Sequence, residues 1–421
     1  MSDKKDLYCS LAFNSISFGP HGGSRPCCAV DTFFWKEPTH QLANYKNHLP
    51  TWFNNQEMID LRQDMLDGKW NPTCNLCKIR EDVGQASTRQ IFNHTLSQVE
   101  ERTGRSWREN KAEVTDFSNI FLLDVTTGNK CNSACLMCNS SASSLWAKEQ
   151  EEITGNAWTH PNLNWFNEEN IGPIVDKLTN LKAIQFAGGE PTINDAVMFM
   201  LKKLIEQDRS HDITLGFVTN LTGISDEMLD IWNKFNTKHI TISIDGVDKV
   251  NEYIRYPFSW KKVTAQLDIL KKIAKEHRNY NIGLSHTITS LNLLSFGDLV
   301  KWWEETQVQD EGSGILKSLP HIQCVNNPSH FNPVYAPRAL KDKTAVMLDE
   351  LEVYLTDKKL LDKYRPAIEN IRTNVINAKV DEKLRKAYWK RMRDFVEPLD
   401  RYRKRNIFDY LPYMKEFWSF E

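Results

Sequence analysis

The 421-residue chain has little of what would set it apart from an ordinary globular protein. No stretch approaches the ~18 consecutive apolar residues of a membrane-spanning helix. The first residues, Met-Ser-Asp-Lys-Lys-Asp, are polar and lack the apolar centre of a secretion signal. A cytoplasmic location is therefore expected. The formal net charge is only −2, so no global bias draws the chain to nucleic acid or anionic lipid. Internal repeats and low-complexity tracts are absent, which excludes solenoids and collagen-like arrays. Cysteine is not scarce. There are nine, and in a cytosolic chain that many point to metal or redox chemistry rather than disulfides.

The middle of the chain alternates strand and helix patterns. Short apolar, β-branched runs lie at 119–126, 183–187, 213–219, 239–244, 282–288 and, more weakly, 321–325. Between them, 197–205, 228–235, 263–273 and 293–303 carry apolar residues near a 3.6-residue period. Repeated strand–helix units with buried-looking strands predict a parallel α/β architecture. Six units do not close an eight-stranded barrel, so a partial (β/α)6 TIM-like barrel is expected, its site at the C-terminal ends of the strands. Three regions follow: a Cys-rich module at 1–117, the barrel at 118–325 and a helical C-terminal region at 326–421. In the last, 345–361 and 384–395 read as amphipathic helices.

One loop concentrates the chemistry. Gly128-Asn-Lys-Cys-Asn-Ser-Ala-Cys-Leu-Met-Cys-Asn139 places Cys131, Cys135 and Cys138 in C-x3-C-x2-C spacing just after the first of these strands. Three thiolates can hold three irons of a [4Fe–4S] cube, whereas cubes in ordinary electron carriers take four. Closed structural zinc sites also take four ligands. The spacing resembles the signature of the radical S-adenosylmethionine (SAM) enzymes. The resemblance implies that the open iron is chelated by the amino and carboxylate groups of SAM. It also implies that reductive cleavage yields a 5′-deoxyadenosyl radical, which abstracts hydrogen from a substrate.

Other segments resemble the family in the same order. Gly188-Gly189-Glu190-Pro191 follows the second strand like the family's GGE motif, which implies that it holds the SAM amino group. Ser243 and Asp245, two apart on one side of the fourth strand, imply contacts to the ribose. Asn220, ending the third strand, implies a contact near the SAM methionine or ribose, although an Asx turn explains it equally well. Arg255 resembles an arginine that pairs with the SAM carboxylate in peptide-modifying members. Met137 stands where the family usually has an aromatic residue near adenine, and its polarisable thioether suits the same contact. No acid–base residue stands out. His286, on the fifth strand, reads as a packed core histidine rather than a lumen group, and Cys324 as an isolated buried thiol.

The N-terminal cysteines show a second pattern. Cys9 opens a hairpin-like run that passes through a Gly-rich turn to Cys27 and Cys28, and Asn71-Pro-Thr-Cys74-Asn-Leu-Cys77 is a C-x2-C knuckle. Together they resemble the twitch or SPASM auxiliary-cluster modules, here preceding the barrel rather than following it. The resemblance implies a second [4Fe–4S] cluster on Cys9, Cys27, Cys74 and Cys77, with Cys28 as the alternative to Cys27. A four-cysteine zinc site would use the same ligands.

The substrate implied is a peptide or protein side chain, with a small metabolite or nucleoside as the alternative. The electron is expected from a reductant such as flavodoxin or ferredoxin. Segment 381–405 holds ten Lys/Arg against five acids. It reads as a solvated helix face rather than a nucleic-acid surface. A non-catalytic, metal-containing nucleic-acid-binding protein is the rival class. The intact cysteine triad, GGE and Ser-x-Asp argue against it.

Overall fold

All six segments read as strands between 119 and 325 are strands, and two more come from the N-terminal region. The computed structural model describes residues 6–30, 53–82, 86–157, 164–308 and 320–420. Its strands are β1 Ser15–Phe18, β2 Ser24–Arg25, β3 Leu122–Thr126, β4 Ala183–Ala187, β5 Thr214–Thr219, β6 Lys238–Ser243, β7 Tyr280–Ile288 and β8 His321–Cys324. They form one sheet in the order β2-β1-β3-β4-β5-β6-β7-β8. β1–β3, β3–β4, β4–β5 and β7–β8 pair in parallel. The β1–β2 hairpin is antiparallel. Helices separate the strands from β3 onward, as an α/β partial barrel requires.

β1 was not legible as part of this sheet. Ser15-Ile-Ser-Phe18 is four residues long and half serine, too short for a periodic signal. Its register against Leu122–Val125 nonetheless makes it a full neighbour of β3. The expected helix at 345–361 is two helices, Arg338–Tyr354 and Lys358–Ile371. The break has a local cause. Asp357 caps the second helix, its carboxylate accepting from the Lys359 amide at 2.7 Å, which satisfies an otherwise unpaired N–H.

The chain divides into two compact units. One comprises Met1–Lys130, Trp158–Phe217 and Ser225–Lys238, the other Cys131–Ala157, Val218–Ile224 and His239–Glu421. In the first, Ile184 and Phe186 of β4 and Leu215 and Phe217 of β5 are buried on one face. Phe217 packs at a tilt against both Phe186 and Trp232 with ring centroids 4.8 Å apart. Each such ring contributes roughly 1.5–3 kcal/mol by leaving water.

In the second unit the aromatic C-terminal tail is part of the core. Leu411 and Met414 are fully buried, the Tyr413 hydroxyl donates to the Leu291 carbonyl at 2.5 Å, and the Trp389 indole donates to the Phe417 carbonyl at 3.1 Å. No helix among the described residues is long and apolar enough to cross a membrane.

Candidate active site

The cysteine loop is held by its backbone. The Ala134 amide donates to the Tyr256 carbonyl at 2.8 Å and the Leu136 amide to the Ile254 carbonyl at 2.9 Å. Ser143 caps the helix Ser144–Thr154 and donates its hydroxyl to the Ser133 carbonyl at 2.6 Å. The Trp146 indole donates to the Cys135 carbonyl at 2.6 Å. All three cysteines are half-buried. Burial pushes the Cys138 thiol up to about 12, and the neighbouring Cys135 adds to it. A thiol that high stays protonated at neutral pH, so metal binding there releases protons.

Arg403 was missed by sequence reasoning. It belongs to the basic run read as a solvated face, yet it is buried and donates through Nη2 to the Ala134 carbonyl at 2.8 Å. The same nitrogen meets Glu149 Oε2 at 2.6 Å, and both side chains of this pair are 3% exposed. No local pattern distinguishes Arg403 from its exposed neighbours. Arg403→Ala should lower unfolding free energy by about 3–5 kcal/mol, because it strands a buried carboxylate. Urea denaturation checks this, and an unchanged midpoint would mean that the pair anchors nothing.

Arg255 and Asp245 form a second buried pair. Arg255 Nε lies 2.7 Å from Asp245 Oδ2, with side-chain exposures of 16% and 0%. Arg255 Nη1 reaches Cys135 Sγ at 3.7 Å. Burial opposes the charge on Arg255, but Asp245 and the Cys135 and Cys138 thiols hold the guanidinium above its ordinary value. Asp245 Oδ1 accepts from the Thr287 amide at 2.8 Å. Its carbonyl accepts from Asn292 at 2.8 Å, and its amide donates to Asn251 at 2.9 Å. The carboxylate thus sits behind Arg255.

Ser243 is half-buried at the end of β6, and Met137 is half-buried within the loop. Asn220 makes the Asx turn, accepting from the Thr222 amide at 2.9 Å, and also donates to Asn132 of the cysteine loop at 2.9 Å. His286 is packed. It is 1% exposed, stacks on Phe296 and is kept neutral by burial. Cys324 is half-buried rather than buried.

In the other unit, Gly188 and Gly189 both have positive φ, 77° and 52°. A Cβ on Gly189 would stand 2.5 Å from the Lys130 carbonyl oxygen, so only glycine lets the two backbones approach. The Glu190 amide then donates to that carbonyl at 2.8 Å. Glu190 is 1% exposed, and its Oε1 accepts from the Thr192 hydroxyl at 2.6 Å.

The same unit places Ser17, Asp124, Gln185 and Gly216 in register across four strands. The Ser17 hydroxyl donates to Asp124 at 2.6 Å, and burial raises the carboxyl pKa. A charged residue inside an apolar strand was the available signal for Asp124.

The N-terminal cysteines converge. One pocket is lined by Cys9, Cys27, Cys74 and Cys77, together with Arg89. Cys28 is exposed and does not line it. Asn71 caps the turn Pro72–Cys74, which runs into the helix Asn75–Asp82. That continuity sets Cys74 and Cys77 one turn apart. Burial pushes Cys9 up to about 11 and Cys74 to about 12, with the other thiols adding. Cys27 is raised in the same way. Four soft thiols around one pocket suit an iron–sulfur cluster or zinc. Among the described residues, no group of three or more His, Cys, Asp or Glu is arranged to hold a single metal ion.

Residues 125–293 match the family model described as the Radical SAM superfamily. That segment runs from β3 through the cysteine loop, Glu190, Asp245 and Arg255 to just beyond β7, and is less than half of the chain. A solved structure of native anSMEcpe with bound AdoMet is 19% identical, with 55% of this chain and 59% of that chain covered and a TM-score of 0.38. The chain therefore spans less than two thirds of that structure. Streptococcus suis SuiB is 11% identical over 84% of this chain and 72% of that chain, with a TM-score of 0.35. SuiB bound to the precursor peptide SuiA is 11% identical over 68% and 62%, with a TM-score of 0.34. Likenesses this distant do not bear on substrate. No curated protein matches the chain.

Proposed function

We propose that the protein is a radical SAM enzyme acting on a peptide or protein side chain, with a small metabolite or nucleoside as the alternative substrate. The observation that carries the proposal is the C-x3-C-x2-C loop, lying inside the matched segment with Arg255, itself paired to Asp245, reaching its central thiol. The chemistry supplied by a [4Fe–4S] cluster and SAM at such a site is one-electron cleavage of a C–S bond and hydrogen abstraction from an unreactive C–H.

In this reading the chain's own residues bind and orient. Cys131, Cys135 and Cys138 hold the cluster. Gly188, Gly189 and Glu190 hold the SAM amino group. Ser243, Asn220 and Met137 flank its ribose and base. Arg255, with Nη2 engaged in neither contact above, turns toward its carboxylate, and Asp245 fixes Arg255. Trp146 and Arg403 close the back of the loop against water. Residues 1–117 form the auxiliary module, whose pocket at Cys9, Cys27, Cys74 and Cys77 takes a second cluster. Residues 118–325 are the barrel, and 326–421 the helical region. A flavodoxin- or ferredoxin-type protein in the cytoplasm supplies the electron.

Glu190→Gln and Asp245→Ala should each weaken SAM binding while the iron content is retained. The first removes a charge-assisted hydrogen bond and the second releases Arg255. Each is worth roughly 1.5–3 kcal/mol, or on the order of tenfold to a hundredfold in affinity. Calorimetric titration of reconstituted protein with SAM measures it. Unchanged affinity in both variants would place the SAM site elsewhere.

A further inference from the structure

Cys135 differs from an ordinary cluster ligand in what points at its sulfur. The Ser133 hydroxyl lies 3.1 Å from Sγ, and the Arg255 guanidinium reaches it through Nη1 at 3.7 Å. The Ser133 hydroxyl also lies 3.0 Å from the Tyr256 carbonyl. That oxygen already accepts from the Ala134 amide at 2.8 Å, so the single hydroxyl proton can turn to a thiolate at Cys135, which has no proton of its own. Arg255 is held in place by Asp245 at 2.7 Å. Asp245 in turn is pinned by Thr287, Asn292 and Asn251. One cation and one hydroxyl thus converge on a single thiolate position, behind a fully buried carboxylate.

We infer that Arg255 and Ser133 raise the reduction potential of the cluster held by Cys135, and that Asp245 is a positioning residue that also limits the rise. The inference rests on the radical SAM reading. Reduction adds one negative charge to the cluster. A cation and a hydrogen-bond donor at a ligating sulfur favour the more negative state, and cluster potentials respond to both. Little solvent screens the pair, because Asp245 is fully buried and Arg255 nearly so. The Asp245 carboxylate offsets part of the Arg255 charge and holds the guanidinium fork at a fixed angle. An external low-potential one-electron donor therefore reduces the cluster more readily than it would one ligated by bare thiolates.

The test is the midpoint potential of the anaerobically reconstituted full-length protein, titrated spectroscopically without SAM. Omitting SAM silences any role of Arg255 in binding its carboxylate. The Arg255→Gln/Asp245→Asn double variant keeps the shapes of the pair and removes its charges, and its potential should fall. Ser133→Ala leaves the ion pair intact and should also lower the potential, so the test survives if the double variant does not fold. Asp245→Asn alone leaves the Arg255 charge uncompensated and should raise it. Wild-type potentials in Ser133→Ala and the double variant, at wild-type iron content, would overturn the inference and leave the radical SAM reading standing. Failure of the wild type to bind iron at all would overturn both.

Discussion

Alanine at Cys131, Cys135 and Cys138 together should cut the iron of reconstituted protein from about eight to about four per chain, one cube's worth, and abolish SAM cleavage. The loss should be complete because the loop supplies all the protein ligands proposed for that cluster. Fold stability should barely change. The loop is anchored through the carbonyls of Ser133, Ala134 and Cys135 and the amides of Ala134 and Leu136, none of which needs a thiol. Circular dichroism and thermal unfolding would separate loss of the cluster from loss of fold. Retained 5′-deoxyadenosine production in this variant would contradict the assignment of the site.

The second large effect concerns the N-terminal pocket. Cys74 and Cys77 are two of its four thiols, and their joint replacement should leave too few ligands for any metal. The three-alanine variant separates iron–sulfur from zinc. It should remain brown, hold about four irons and be reducible, since Zn²⁺ has no accessible redox change. Adding Cys74→Ala and Cys77→Ala should bleach it. In an otherwise intact enzyme, loss of Cys74 and Cys77 should preserve SAM cleavage without substrate and stop substrate conversion. A colourless three-alanine variant with one zinc would make the pocket a structural zinc site instead.

The strands from β3 to β7 were legible as short runs rich in apolar and β-branched residues bounded by polar turns, and β8 more weakly, because its His321 and Gln323 are polar and exposed. The glycines at 188 and 189 were legible through motif spacing, and their positive φ and close approach to Lys130 are the physical reason for it. β1 was not, since four residues carry no period and its partner β3 lies about a hundred positions away.

Among the site residues, sequence reasoning separated single contacts better than networks. Asn220 was balanced between an Asx turn and a site contact, and it makes the turn while also bonding the cysteine loop. Asp245 pairs with Arg255, a partnership that depends on how β6 and the following helix Lys249–Ile254 meet. Arg403 looked like one more surface cation. Its burial against Glu149 depends on a contact between the helix Ser144–Thr154 and the C-terminal helix Glu382–Arg403, and no local pattern encodes it. Cys27 and Cys28 are adjacent and share every sequence signal, and coordinates were needed to see that Cys27 lines the pocket while Cys28 is exposed outside it.

The central claim is that this chain cleaves SAM reductively at Cys131, Cys135 and Cys138. The most direct measurement is to incubate the anaerobically reconstituted wild-type protein with SAM and a strong one-electron reductant, and to quantify 5′-deoxyadenosine and methionine by mass spectrometry. The account predicts that both form together, in equal amounts, and only when iron, reductant and SAM are all present. Intact SAM after reduction of a protein that carries its full iron complement would contradict it.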